Sequence, residues 1–252
     1  MESSFGIALK KPGELVIACI GDSITYGNGS HVGRKERDGE GNYPISLREH
    51  LASYCDRVTV RVGNFGHSGR TAIDGFRQSY RNSTQYKRAL RFCQRADVVV
   101  VMLGTNDSKE RHWRGRSVFA ESLARLVEEL CIERCRLVLV APPPSFPNPR
   151  LIRHGSRVLG RINPEIIRGP IRESVEKIAR TRHLMYVDLV EYFYSTIDGL
   201  RAAEEAVRHG SRGESITAGR LIARYFHDGV HPTVLAHELI AAAIFEHLRL
   251  SK

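Results

Sequence analysis

LVIACIGDSITYG, residues 15–27, opens as an uninterrupted apolar run and then breaks into glycine, aspartate and serine. A run with no polar alternation suits a strand covered on both faces, as in a parallel sheet. The Gly-Asp-Ser that follows reads as a tight strand-to-helix turn. Ser23 is therefore either an ordinary helix-capping hydroxyl or a nucleophile presented at the exit of a buried strand. The rest of the chain decides between the two.

Four more strand-like runs follow, at residues 58–62 (VTVRV), 97–103 (DVVVVML), 136–141 (RLVLVA) and 184–189 (LMYVDL). Helical patterns occupy residues 43–54, 84–95, 118–134, 164–180 and 232–250. In the third of these, Phe119, Leu123, Leu126, Val127 and Leu130 make one apolar stripe. This alternation predicts an α/β domain of three layers with right-handed crossovers. Two stretches break the rhythm: a glycine-rich, charged loop at 28–42, and residues 195–226, read as one or two extra helices. With no linker, low-complexity segment or repeat, residues 1–252 are read as a single domain with a helical insertion near 195–226.

Of the 252 residues, 42% are hydrophobic and 26% charged, a balance able to bury a core. Lysine and arginine number 38 against 28 acids, a formal charge of +10 that favours anionic partners: acidic sugars, phospholipid headgroups, nucleic acid or CoA esters. The basic residues are dispersed and no nucleic-acid-binding motif occurs, so nucleic acid is not an expected partner. Cys19, Cys55, Cys93, Cys131 and Cys135 form no CxxC pair. Cys131 and Cys135 are spaced to be neighbours on a helix, but no histidine pair lies near them in sequence, so they read as thiols rather than a zinc half-site. An odd count without a framework suggests a reducing compartment. No apolar stretch resembles a signal peptide or a membrane span, and the expected location is cytoplasmic.

In an open parallel sheet, ligands bind beyond the carboxyl ends of the strands. If Ser23 is catalytic, its partners belong at other strand ends. After the second strand comes NFGHSG (64–69), after the third GTND (104–107), and before the last helix DGVHP (228–232). Each piece alone is an ordinary turn or cap. Four in this order are not.

GDSIT, NFGHSG, GTND and DGVHP together resemble the signature blocks of the SGNH hydrolases, also called the GDSL family of esterases and lipases. The resemblance spans residues 21–232 and implies a flavodoxin-like sheet of about five parallel strands. It also implies a serine esterase that needs no metal or organic cofactor. Carried over by position, Ser23 matches the nucleophile, Gly69 and Asn106 the oxyanion-hole donors, and Asp228 and His231 the rest of the triad. Isoleucine stands at position 24 where the GDSL pattern has leucine.

Elementary chemistry supports that assignment. A serine hydroxyl is a poor nucleophile until an imidazole takes its proton, and His231 would then return the proton to the leaving alcohol. Asp228 would hold the imidazole tautomer. The amides of Ser23 and Gly69 and the side-chain amide of Asn106 would receive the developing oxyanion, with Gly69 lacking a Cβ that could block close approach. No G-x-S-x-G elbow, H-E-x-x-H or P-loop occurs, and the glycines at 63, 66 and 69 do not match the dinucleotide fingerprint. Asp22 reads as a brace for the turn, Asp107 as structural, and His67 and His227 as loop residues beside the motifs.

The substrate is less determined. MLGTNDSKERHW (102–113), APPPSF (141–146), INPEIIRGPI (162–171) and NYP (42–44) look like the carbohydrate O-acetylesterase branch, particularly the sialate O-acetylesterase-like members. That likeness implies a small acyl pocket. Asp22, His67, Arg111 and Trp113 are the candidate substrate contacts: Trp113 as a flat apolar face, and Arg111 with Arg114 as a fork for a carboxylate. Alternatively Trp113 is a half-buried residue at a solvated helix entrance. The stretch 195–226 precedes Asp228 and is expected to border the site. A lysophospholipase or acyl-thioesterase is the rival enzyme reading, and a catalytically inactive binding protein the remote one.

Overall fold

The computed structural model describes residues 7, 9–30, 41–55, 58–130, 135–146 and 161–250. Five strands form one parallel sheet: β1 (Glu14–Gly21), β2 (Thr59–Gly66), β3 (Val98–Met102), β4 (Arg136–Ala141) and β5 (Met185–Asp188), ordered β2-β1-β3-β4-β5. Successive side chains on a strand point to opposite faces. In β1, Leu15, Ile17 and Cys19 join one buried cluster, while Val16, Ala18 and Ile20 join the other. In β3, Val98, Val100 and Met102 likewise oppose Val99 and Val101. Both faces are covered, and that is why these runs carry no polar alternation.

One face is covered by α2 (Tyr43–Tyr54), which contributes Tyr43, Leu47 and Leu51, and by α10 (Val234–Leu250), through Ala236, Ile240 and Ile244. The other face is covered by α3 (Thr84–Cys93) and α4 (Arg116–Leu130), the latter through the stripe from Phe119 to Leu130. Residues 131–134, the end of the expected third helix, lie outside the described residues, as do Cys131 and residues 31–40 of the expected loop. Cys19, Cys55 and Cys93 are buried and Cys135 is half-buried, and none of the four is in a disulfide among the described residues.

At three places the boundaries depart from the sequence reading for a local reason that the structure shows. β2 runs on from Val62 to Gly66 because its register with β1 continues through Asn64↔Cys19, Phe65↔Ile20 and Gly66↔Gly21. Gly63 and Asn64 are poor strand formers, which hid the extension. The helix expected over 164–180 is α5 (Pro164–Ile166), a wider π turn (Ile167–Ile171) and α6 (Arg172–Thr181). Pro170 within the turn has no N–H to give to an α-helical ladder. The run at 184–189 stops at Asp188, whose carboxylate accepts the Glu191 amide at 3.1 Å and caps α7 (Leu189–Thr196).

Residues 195–226 hold the end of α7 and all of α8 and α9: α8 spans Leu200–His209, and α9 spans Arg212–Tyr225 and opens with a Ser211–Glu214 capping box. Glu204 on α8 is nearly buried and accepts hydrogen bonds from Arg168 and Tyr194, fastening the pair to the π turn and α7. Among the described residues no helix is long and apolar enough to cross a membrane.

His237 on α10 is fully buried; its Nδ1 accepts the Tyr43 amide at 3.3 Å, and its Nε2 donates to the Asn28 carbonyl at 3.4 Å. Burial pushes its pKa down from 6.5 to about 4. Between those values the unfolded chain binds a proton that the folded chain refuses. The stabilisation is thus complete above pH 6.5 and is lost as pH falls through 4. The full shift corresponds to about 3 kcal/mol. Burial also raises Asp22 to about 6 and Asp107 to about 7, and these two act with the opposite sign in the same window. The comparison that isolates His237 is urea unfolding of wild type and His237→Asn at pH 7 and pH 4.5. Acidification is expected to cost wild type about 2 kcal/mol more than the variant; equal losses would contradict the assignment.

Candidate active site

The turn after β1 leads directly into a short helix, α1 (Ser23–Tyr26). Asp22 caps it: Oδ1 accepts the Ile24 amide at 2.9 Å. Ser23 therefore stands at the first helical position, with only 6% of its surface exposed. The helix is clamped from three sides. The Thr25 carbonyl accepts from Asn64 Nδ2 at 2.8 Å, Thr25 Oγ1 meets the Tyr43 hydroxyl at 3.0 Å, and Gly66 allows the backbone of α1 to sit against β2. A Cβ on Gly66 would lie 2.1 Å from the Tyr26 nitrogen, so only glycine fits there.

The DGVHP loop comes to Ser23 from the other end of the chain. Asp228 Oδ1 accepts the amides of Val230 at 3.0 Å and His231 at 2.7 Å, folding the loop around its own carboxylate. Its Oδ2 faces His231 Nδ1 at 2.7 Å, and His231 Nε2 lies 3.0 Å from Ser23 Oγ. Burial by itself would raise the Asp228 pKa. The hydrogen bond and charge of His231 and the two amides outweigh it and hold the carboxyl at about 2. An ionised carboxylate here fixes the proton on Nδ1 and leaves Nε2 free to accept from the serine.

The loop is anchored by packing. Phe226, just past α9, is buried against Phe146 and Phe193, and the Phe146 amide donates to the Gly229 carbonyl at 2.6 Å. Residues 195–226 thus lead straight into the loop, and their last residue, Phe226, is seated in the core.

The second and third blocks meet beside Ser23. The Asp107 carboxylate accepts the amides of Ala72 at 3.0 Å and Ile73 at 2.8 Å, tying the end of β3 to the loop that carries Gly69. Gly69 has φ +78°, and nothing lies within 4 Å of where its Cβ would be. Its need for glycine is conformational, not the close approach expected from the sequence. Among the described residues neither the Ser23 amide nor the Gly69 amide has an acceptor.

Asn106 is held at every polar atom of its side chain. Nδ2 donates to Asp22 Oδ2 at 3.2 Å and to the Arg70 carbonyl at 3.1 Å, and Oδ1 accepts from Lys109 Nζ at 2.7 Å. Both amide hydrogens already have acceptors, so donation to a third requires one of them to be shared or withdrawn.

The remaining candidates divide. Asp22 joins the cluster, bridging Ile24 and Asn106. His67 lies in the Gly69 loop, with Nε2 3.1 Å from an Arg70 guanidinium nitrogen. Trp113 packs on Phe119 at 6.2 Å between ring centroids, as a half-buried residue at the entrance to α4. Arg111 is exposed, and Arg114 lies over the Phe76 ring. Among the described residues no hydrogen bond, ion pair or ring contact joins Arg111 or Trp113 to Ser23, Asp228 or His231. His227 is also exposed, 3.9 Å from Asp228 Oδ2. Two partners went unread in the sequence: Lys109, and His112, whose Nδ1 donates to the Asn106 carbonyl at 2.8 Å. Their spacing from Asn106, three and six residues on, is that of a coiled turn folding back on itself. No group of three or more His, Cys, Asp and Glu side chains among the described residues is placed to hold a metal.

An acetylxylan esterase of Xylanibacter ruminicola is 27% identical over 226 residues; the match covers 82% of this chain and 42% of that protein. The chain therefore spans less than half the length of that relative. The carbohydrate acetylesterase Est24 of Sinorhizobium meliloti superposes with a TM-score of 0.62 at 17% identity, covering 92% of this chain and 97% of that one. An aryl esterase of M. smegmatis gives 0.61 at 20% identity, covering 93% and 98%. At such identities the two structures establish a shared fold. The profile of the GDSL-like Lipase/Acylhydrolase family matches residues 19–239, which holds all four blocks. This chain belongs to the GDSL-like lipase/acylhydrolase family.

Proposed function

We propose that this protein is a serine esterase that removes short acyl groups, foremost acetyl, from carbohydrate hydroxyls through an acyl-enzyme on Ser23. The observation that carries the proposal is the unbroken chain from Ser23 Oγ to His231 Nε2 at 3.0 Å and from His231 Nδ1 to Asp228 at 2.7 Å.

His231 takes the proton from Ser23 as its oxygen attacks the ester carbonyl. The negative charge that develops on the carbonyl oxygen meets the amides of Ser23 and Gly69, which have no acceptor among the described residues, and the Asn106 amide. His231 returns the proton to the leaving alkoxide, and the acyl group stays on Ser23. Water enters by the same route in reverse and frees the acid. Throughout, Asp228 holds the imidazole and offsets the charge it acquires. No step calls on a cofactor. The acetyl preference draws on the 27%-identical acetylxylan esterase and on the likeness of residues 102–113 to carbohydrate O-acetylesterases.

The test is hydrolysis of p-nitrophenyl acetate, butanoate, octanoate and dodecanoate. kcat/KM is expected to peak at acetate and to fall by about tenfold or more by octanoate, the discrimination a tight apolar pocket achieves. A peak at octanoate or dodecanoate would replace this reading with the lysophospholipase or thioesterase one.

A further inference from the structure

Lys109 is 4% exposed, an unusual place for an ammonium group, since a buried cation normally sits directly on a carboxylate. Among the described residues Lys109 makes no ion pair within 4 Å. Its one hydrogen-bond partner there is a neutral oxygen, Asn106 Oδ1, at 2.7 Å. Asp22 and Asp107 act on its charge at longer range and in its favour, and Arg111 acts against it. Burying an ammonium to satisfy one amide oxygen is costly, and a hydroxyl or a backbone N–H would do the same for less. The charge itself must have a use.

We propose that Lys109 is a positioning residue for ester hydrolysis: it fixes Asn106 Oδ1 and polarises the Nδ2 hydrogen that is shared between the Arg70 carbonyl and the developing oxyanion. The inference rests on the reading of Ser23 as nucleophile and Asn106 as oxyanion donor. With Oδ1 drawn to the ammonium, Nδ2 must face Asp22 and the Arg70 carbonyl, next to the turn that carries Ser23. An amide whose oxygen accepts a charged hydrogen bond is a stronger donor at its nitrogen, because each bond in a chain polarises the next. That strengthening grows as negative charge appears on the substrate oxygen, so it acts on the transition state more than on the bound ester.

The test is a set of variants assayed with p-nitrophenyl acetate: Ser23→Ala, Lys109→Met, Lys109→Gln, Asn106→Ala and Asn106→Ala/Lys109→Met. Lys109→Met is expected to lower kcat by about tenfold to a hundredfold, somewhat less than removal of a donor outright, with KM within about threefold. Lys109→Gln, which keeps a neutral donor, is expected to fall between Met and wild type; it also carries the test if Met does not fold. In the Asn106→Ala background, Lys109→Met is expected to change kcat by less than about twofold, because its route to the oxyanion is gone. A full, additive loss in that background, an unchanged kcat in Lys109→Met, or a loss confined to KM would overturn the inference. An active Ser23→Ala would instead overturn the reading beneath it.

Discussion

Ser23→Ala is expected to lower kcat for p-nitrophenyl acetate by at least about a thousandfold, since removing a triad nucleophile leaves only binding and the oxyanion donors. The melting temperature is expected to move by no more than about 2 °C. The Ser23 hydroxyl makes one side-chain hydrogen bond among the described residues, to His231, and the turn is held by groups the substitution leaves alone. Those are the Asp22 cap, the Asn64 bond to Thr25, and the Ser23 carbonyl, which accepts the amides of Gly27 at 3.1 Å and Asn28 at 2.9 Å. Stability and activity should therefore part company. Parallel assay and thermal melt of the variant check both halves, and retention of more than a few per cent of activity would sink the nucleophile assignment.

Asp228→Asn is the second large effect, and its cause is a proton rather than a lost contact. The asparagine oxygen can keep the amides of Val230 and His231, so the loop keeps its shape. Its NH2 then faces His231 Nδ1, which must become an acceptor. The imidazole proton moves to Nε2, where it points at Ser23 and blocks proton transfer. A wrong tautomer in an intact triad typically costs about ten-thousandfold in kcat. Steady-state kinetics of the folded variant check this. A kcat within about tenfold of wild type would mean that the 2.7 Å contact between Asp228 and His231 has no part in catalysis.

The sheet was legible because its three inner strands are buried on both faces: 15–20 and 136–141 announce themselves as continuous aliphatic runs, and the helices between them as apolar stripes. α7 was not legible, since its opening residues LVEYF continue the apolar character of LMYV and nothing but Asp188 marks the boundary. The π turn was hidden because Pro170 sits within an otherwise regular stripe of isoleucines. The four blocks brought Ser23, Gly69, Asn106, Asp228 and His231 to one place, but motif spacing carries no information about what else an asparagine side chain touches. That Asn106 spends both hydrogens on Asp22 and Arg70, with Lys109 on its oxygen, depends on three separate loops converging. His237 is a similar case: its partner Tyr43 lies on the opposite end of the chain. Trp113 allows two readings as a letter, an aromatic on a sugar face or a half-buried residue at a helix entrance, and the structure places it half-buried against Phe119.

The central claim is that Ser23 attacks the ester and carries the acyl group. Its most direct test is treatment with diethyl p-nitrophenyl phosphate, which forms a stable phosphoryl ester with an activated serine, followed by peptide mass spectrometry. One adduct is expected, on Ser23, in step with loss of esterase activity and absent from Ser23→Ala and from the denatured chain. An adduct on any other residue that tracks the loss of activity would contradict it.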